Sequence, residues 1–210
     1  MSEFKEEIKK ALEEPDKEKQ RKFNQSVDLI INLQKIDIKK NPINVFVHLP
    51  HKIRNKKIGA FFETKNPKID TITEADFKKY SNKKEAKKFV RNYDFFIAQA
   101  KLMPKVATNF GKVLGPAGKM PSPQLGIISE INDKSIEELK EKINKNIKLR
   151  LIEPSIKVSI GKSDMEREKL IENINSFYKE VLKLLPREKE NIKDIKIKYT
   201  MSKPHKIEIK

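Results

Sequence analysis

Apolar residues recur with two different periods along this chain, and the order of those periods limits the fold more than any other feature of the sequence. Phe23, Val27, Leu29, Ile31 and Leu33 occupy odd positions, with Asn24, Ser26, Asp28 and Asn32 between them. Period two puts alternate side chains on opposite faces of a strand, so this stretch predicts a strand with one buried face, broken only by Ile30. The alternation appears again at Val45, Val47 and Leu49, at Ile156, Val158 and Ile160, and at Ile195, Ile197 and Tyr199, with HKIEIK at the end as a further edge. Helical spacing accompanies it at both chain ends. Phe4, Ile8, Ala11 and Leu12 form one stripe over 3–14, stopped by Pro15, and Leu170, Ile174, Phe177, Val181, Leu182 and Leu185 form another, with Ser163 as the cap and Pro186 as the stop.

The middle of the chain has a different pattern. IGAFFE and YDFFIAQA are nearly continuous apolar runs, separated by a helical stretch around 74–91 and followed by a helix carrying Ile136, Leu139, Ile143 and Ile147. Strands apolar on both faces and alternating with helices predict a parallel sheet covered on both sides. The predicted architecture is therefore α/β in two domains. An α+β domain with an antiparallel sheet comes from residues 1–57 and 156–210, and an inserted three-layer α/β domain comes from 58–155. The chain crosses between them near 52–58 and 153–156, a two-strand hinge.

Residues 101–123, KLMPKVATNFGKVLGPAGKMPSP, differ from everything around them. Three of the six glycines and four of the eleven prolines lie here with Lys101, Lys105, Lys112 and Lys119 and no acid, and a short helix is expected over 104–110. Glycine opens backbone conformations closed to other residues and proline fixes φ. The stretch is either a shaped basic surface or a loop whose glycines simply serve folding.

Charge points to a polyanionic partner. The 47 Lys and Arg against 30 Asp and Glu give a net charge of +17, and each phosphate neutralised by such a surface releases condensed counterions. No single tail carries the excess: bases outnumber acids 14 to 9 in 1–57, 19 to 12 in 58–155 and 14 to 9 in 156–210, most densely over 83–119. The chain has no cysteine, which excludes disulfides, thiolate metal sites and a cysteine nucleophile. The first residues are charged throughout, unlike a signal peptide, and no apolar run approaches the roughly 20 residues of a membrane span. A cytoplasmic protein with no membrane partner is expected.

Catalytic and metal-binding patterns are weak. His48, His51 and His205 belong to no HExxH motif, so no metal is expected. GPAGKM resembles a phosphate loop, yet Val113 stands where that motif needs its first glycine and Met120 where it needs Ser or Thr. Neither an enzyme nor a cofactor is expected. RNA binding has more support: Arg21, Lys22, Phe23 and Ser26 combine cations, a ring and a hydroxyl at the start of a strand, a set able to meet phosphates and 2′-hydroxyls. Phe23 is equally readable as the first core residue of that strand. Thr200, Met201, Ser202, Lys203 and Pro204 follow another strand without a large acidic group, and on their own read as an ordinary turn rather than a binding site.

The run PKVATNFGKVLGPAGKMPSP, preceded by YDFFIAQAKLM, together with RKFNQSVDLI, VFVHLPH and IKYTMSKP in that order around it, closely resembles the ribosomal protein L-one family in its archaeal form. The likeness covers most of the chain. It implies a non-enzymatic protein of the large ribosomal subunit, monomeric there, bound to rRNA and forming the mobile stalk that accompanies release of deacylated tRNA at the exit site. It also implies a repressor that binds its own mRNA. Its RNA site would join the first-strand segment to a Thr-Met-Gly turn, here Lys22, Phe23, Ser26, Asp28 and Glu13 with Thr200, Met201 and Ser202. Ser202 stands where the family usually has glycine, so a Cβ must fit where the backbone meets RNA, and Asn24 replaces a usual threonine. The lysines at 101, 105, 112 and 119 would form a secondary basic surface towards neighbouring rRNA or tRNA. The competing classes are a non-ribosomal relative acting in ribosome assembly and an RNA-modifying enzyme built on the α/β middle.

Overall fold

The computed structural model describes residues 2–17, 22–38, 43–80, 82–129 and 132–207. Arg21, the KKNP turn and the last three residues of HKIEIK lie partly or wholly outside that set. The chain forms two compact units, Met1–Arg54 with Lys145–Lys210, and Asn55–Asn144.

Unit 1 is built on four antiparallel strands: β1 (Ser26–Leu33), β8 (Ser155–Lys162), β9 (Ile192–Tyr199) and β10 (His205–Ile207), ordered β10-β9-β1-β8. The period-two reading of β1 holds residue by residue, because Val27, Leu29, Ile31 and Leu33 are all buried while the residues between them are half-exposed. The buried face packs against α1 (Ser2–Lys17) and α6 (Arg167–Leu184), with Ile8, Leu12, Leu170, Ile174 and Phe177 in one core with the strands. Pro15 does not stop α1, which runs on to Lys17; a proline in the last turn forfeits one intrahelical bond, and the helix axis continues past it.

A two-stranded ribbon, β2 (Asn44–His48) with β7 (Asn146–Arg150), completes this unit. β7 corrects the expected boundary. Residues 145–155 belong to unit 1, and the second crossing falls at Asn144/Lys145, about one strand earlier than expected from the 153–156 reading. The reason is pairing: Val47 faces Ile147 and Val45 faces Leu149 across the ribbon.

In unit 2, β3 (Ile58–Phe61), β4 (Asp70–Ile72), β5 (Phe95–Gln99) and β6 (Ile127–Ile128) form a parallel sheet ordered β4-β3-β5-β6. Both faces are covered. Phe61, Phe96 and Ala98 point into a core with α2 (Glu74–Phe77), α3 (Lys83–Arg91) and α4 (Met103–Leu114), and Ile58, Ala60, Phe62 and Ile97 into a second core with α5 (Asp133–Lys145). This is the expected three-layer arrangement. Phe61, Phe77, Phe89, Phe96 and Phe110 form a ring cluster with centroid separations of 5.2–6.5 Å, within the range of favourable edge and offset contacts.

The Gly/Pro-rich stretch is mostly helix. α4 begins with Pro104 in its first turn, where a missing N–H costs nothing, and runs through Gly111 to Leu114. The Gly115 amide still donates to the Gly111 carbonyl at 3.0 Å. The loop proper starts there, and Gly118 sits at φ +69°, a left-handed conformation that favours glycine.

Candidate nucleic-acid interface

One end of the β1–β9 pair joins chain segments 174 residues apart. The Ser26 amide donates to Thr200 Oγ1 at 3.0 Å, and the Thr200 amide donates back to the Ser26 carbonyl at 3.1 Å. The Met201 amide donates to Gln25 Oε1 at 3.1 Å. Ser202 closes the turn on itself, its hydroxyl accepting from the Tyr199 amide at 2.8 Å and donating towards the Lys203 carbonyl at 3.2 Å. Each such bond contributes on the order of 0.5–1.5 kcal/mol net, so the turn is held to the strand by several modest bonds rather than by a core.

Ser202 fits where a glycine was expected. Its backbone is not in the left-handed region, so a Cβ is carried without strain, and the hydroxyl adds to the turn's backbone bond from the Ser202 amide to the Tyr199 carbonyl.

On the other side of β1, the Gln25 amide donates to Ser163 Oγ at 2.9 Å, the Ser163 hydroxyl donates to Asn24 Oδ1 at 2.9 Å, and the Ser163 amide donates to the Gln25 carbonyl at 2.8 Å. Ser163 was expected to cap α6. The helix instead starts at Arg167 with Glu166 before it, because the Ser163 hydroxyl is already committed to residues 24 and 25. Gln25 is thus a member of the cluster that the sequence did not single out, and Asn24 and Ser163 stood out there only as a departure from the family pattern and as a helix cap; helical spacing downstream of Ser163 disguised its partner across the sheet.

Two apolar groups stand out of this frame. Phe23 is 53% exposed and Met201 is 58% exposed, two of the three large hydrophobic residues so exposed among those described. Phe23 keeps the odd numbering of β1 but precedes the strand, which begins at Ser26, so it is not a core residue. Lys22 is exposed beside it. Asp28 lies two residues into β1, next to the bulge between Val27 and Asp28, opposite Ser159 and Lys198. Burial pushes its carboxyl above the ordinary 3.8, against the downward pull of the Lys198 ammonium and a hydrogen bond with Ser159. Glu13 is exposed in α1, and no hydrogen bond or ion pair joins it to the cluster among the described residues.

The face of the sheet away from α1 and α6 extends this site. By register it carries Asp28, Ile30 and Asn32 of β1, Lys157 of β8, and Lys196 and Lys198 of β9. The polar positions between the alternating apolar residues were the signal for these lysines.

The secondary lysines divide. Lys101 and Lys112 are exposed. Lys105 is bound to Glu74 at 2.6 Å. Lys119 is turned inward, its ammonium donating to the Val90 carbonyl in the last turn of α3 at 2.9 Å and to the Tyr93 carbonyl just beyond the helix at 2.6 Å.

Among the described residues no helix is long and apolar enough to cross a membrane. The family model of the ribosomal protein L1p/L10e family matches residues 15–203. The large ribosomal subunit protein uL1 of Nanoarchaeum equitans is 34% identical over 194 residues, covering 87% of this chain and 91% of that protein. Those of Pyrobaculum calidifontis and Thermofilum pendens are 37% and 36% identical over 200 and 202 residues, each covering 90% of this chain and 87% and 86% of the relative. With a family model over most of its length and archaeal relatives above 30% identity over 87–90% of it, the chain belongs to the ribosomal protein L1p/L10e family, in its archaeal form, as a ribosomal protein and not an enzyme.

Proposed function

We propose that the chain is a cytoplasmic protein of the large ribosomal subunit that docks on a structured rRNA helix through the β1–β9 end of unit 1. The observation that carries the reading is the interlock of Gln25 and Ser26 with Thr200 and Met201, which ties the turn after β9 to the start of β1 and leaves Phe23 and Met201 exposed beside it. Rigid turns present amides and hydroxyls to sugar and phosphate oxygens, a ring stacks on a base or packs on a ribose, and Lys22, Lys157, Lys196 and Lys198 supply the salt-dependent part of the affinity. Glu13 and Asp28 accept from 2′-hydroxyls or exocyclic amines.

In this reading unit 1 is the RNA-binding domain and unit 2 an inserted domain that swings on the two crossings, a hinge. The protein then forms the mobile stalk near the exit site and assists release of deacylated tRNA. When free, it represses translation by binding a similar element in its own mRNA. Membership of a ribosomal family supports the first statement, and the finer roles follow from the resemblance.

The test is affinity against salt for a structured rRNA stalk fragment beside an unrelated RNA duplex. Phe23→Ala and Thr200→Ala each remove about 1–3 kcal/mol from the stalk fragment alone, at least a several-fold loss of preference, with the salt slope kept. Equal binding of both RNAs by the wild type, with one steep slope, overturns the site.

A further inference from the structure

The two helical layers of unit 2 cover the same parallel sheet and carry very different charge. α5, on one face, has four acids and four bases, and Lys68 is drawn into ion pairs with Glu137 at 2.8 Å and Asp133 at 3.3 Å. On the other face α3 and α4, packed together, have seven bases and a single acid, Glu85, and the short α2 beside them adds Glu74 and Asp76, which pair with Lys105 and Lys79. A lysine-rich composition alone would load both layers alike. α5 is the internal control showing that it does not.

The excess sits mainly on α3. Lys83, Lys84, Lys87, Lys88 and Arg91 are all exposed, and none of the five has an ion-pair partner among the described residues. The inward side of the same helix is Ala86 and Val90, buried in the aromatic core, so the backbone under these cations is fixed. Lys83, Lys87 and Arg91 follow one another at i, i+4 spacing, as do Lys84 and Lys88. Each step rises about 6 Å along the helix, comparable to the spacing of successive phosphates along a nucleic-acid strand. Lys112 continues the charge on α4.

We propose that the outer face of α3 and α4 is a second RNA-binding surface that grips phosphate backbone without reading bases. No large apolar side chain is exposed on it to stack on a base: the large hydrophobic residues exposed among those described are Phe23, Ile152 and Met201, all in unit 1. The same lack of an apolar wedge disfavours a membrane surface, where an amphipathic helix buries aromatic or leucine side chains below the headgroups. Protein partners are usually anchored by aromatic residues in pockets, and this face offers none. A polyphosphate backbone needs only fixed cations at a suitable spacing.

This surface is independent of the β1–β9 site, and the experiment separates the two. Salt dependence of binding is measured on the full chain with a short RNA duplex of unrelated sequence and with the rRNA stalk fragment. Lys87→Gln/Arg91→Gln is compared with the α5 control Lys134→Gln/Lys142→Gln, which removes the same charge. All four positions are on exposed helical faces, and thermal melting checks that both variants remain folded. The α3 variant is expected to lower the slope of log K against log salt by about two, about 0.9 for each phosphate that is no longer neutralised, weakening both RNAs alike and keeping the preference between them. The α5 variant is expected to leave the slope within about half a unit of the wild type. The α3 effect is also expected to persist in a Phe23→Ala/Thr200→Ala background, whatever becomes of the preference there. Equal slopes for the α3 and α5 variants overturn the proposal. So does an α3 variant that keeps the wild-type RNA slope but loses binding to phosphatidylserine vesicles, which would assign the face to a lipid surface.

Discussion

Unit 1 and unit 2 each contain a sheet of four strands, and they use it in opposite ways. The antiparallel sheet of unit 1 is packed on one face only, so adjacent residues of β1 live in different environments. Ile31 is wholly buried and Ile30 is half-exposed among lysines. The parallel sheet of unit 2 is packed on both faces, and Phe96 and Ile97 are equally buried although they point in opposite directions. A sheet with a free face can place functional groups on its strands. A sheet without one must place them on the covering helices or the loops, and the exposed cations of unit 2 are densest on α3.

The comparison breaks most directly by alanine substitution at adjacent positions. Phe96→Ala is expected to cost about 3–5 kcal/mol and Ile97→Ala about 2–5 kcal/mol, both on unit 2. In unit 1, Ile31→Ala is expected to cost about 2–5 kcal/mol and Ile30→Ala less than about 1 kcal/mol. Denaturant unfolding with hydrogen exchange to assign each loss to its unit decides it. A large loss at Ile30 would mean that its face is not free.

Next in size is Asn173, a fully buried side chain whose amide bonds the His51 amide and carbonyl and the Ile160 carbonyl at 2.9–3.1 Å. Asn173→Ala strands those groups and is expected to cost about 2–3 kcal/mol. The loss should fall on unit 1, seen as faster amide exchange at residue 51 with unit 2 unchanged. Thr200→Ala is expected to cost about 1 kcal/mol, with exchange at the Ser26 amide the local readout.

The smallest effect belongs to unit 2 and depends on pH. A hydrogen bond from Lys79, and then the hydroxyl and amide of Thr73, hold the Asp76 carboxyl down at about 2, against 3.8 for an ordinary aspartate. A depressed carboxylate stabilises the fold above the unfolded-state value, and that contribution is lost as pH falls from 3.8 towards 2. Asp76→Ala is therefore expected to melt a few degrees lower near neutral pH, with the gap closing over that acidic window. A gap independent of pH would mean that the carboxylate charge contributes nothing.

What could be seen in the sequence was what has a long period. The odd positions of β1, the stripe of α6 and the continuous apolar runs of β3 and β5 all declare themselves because many residues repeat one environment. β4 and β6, of three and two residues, are too short to show a period and exist only because β3 and β5 offer them edges. β7 was assigned to the wrong unit, since nothing in NIKLR says that its partner is β2 rather than the parallel sheet. For the candidate site, Ser26, Thr200, Met201 and Ser202 were identified through family likeness, and the structure brings them together. The bonds of Asn24 and Gln25 to Ser163 were not, because hydrogen bonds across 138 or more residues leave no local pattern. Lys119 shows the converse: its charge suggested a surface, and its two carbonyl partners 26 and 29 residues away give it a structural task.

The pairing of β1 also sets an order of events during synthesis. β1 is hydrogen-bonded only to β8 and β9, the strands at 155–162 and 192–199, whereas every strand of unit 2 finds its neighbours within residues 58–128. As the chain leaves the ribosome, the parallel sheet can close while β1 is still without a partner, and the older half of unit 1 must wait for the last strands to emerge. The segment that becomes the candidate RNA site is thus made long before it can be assembled. Residues 24–26 meet Ser163 and Thr200 only after residue 200 has been translated, so the site cannot capture RNA while unit 2 is still being made.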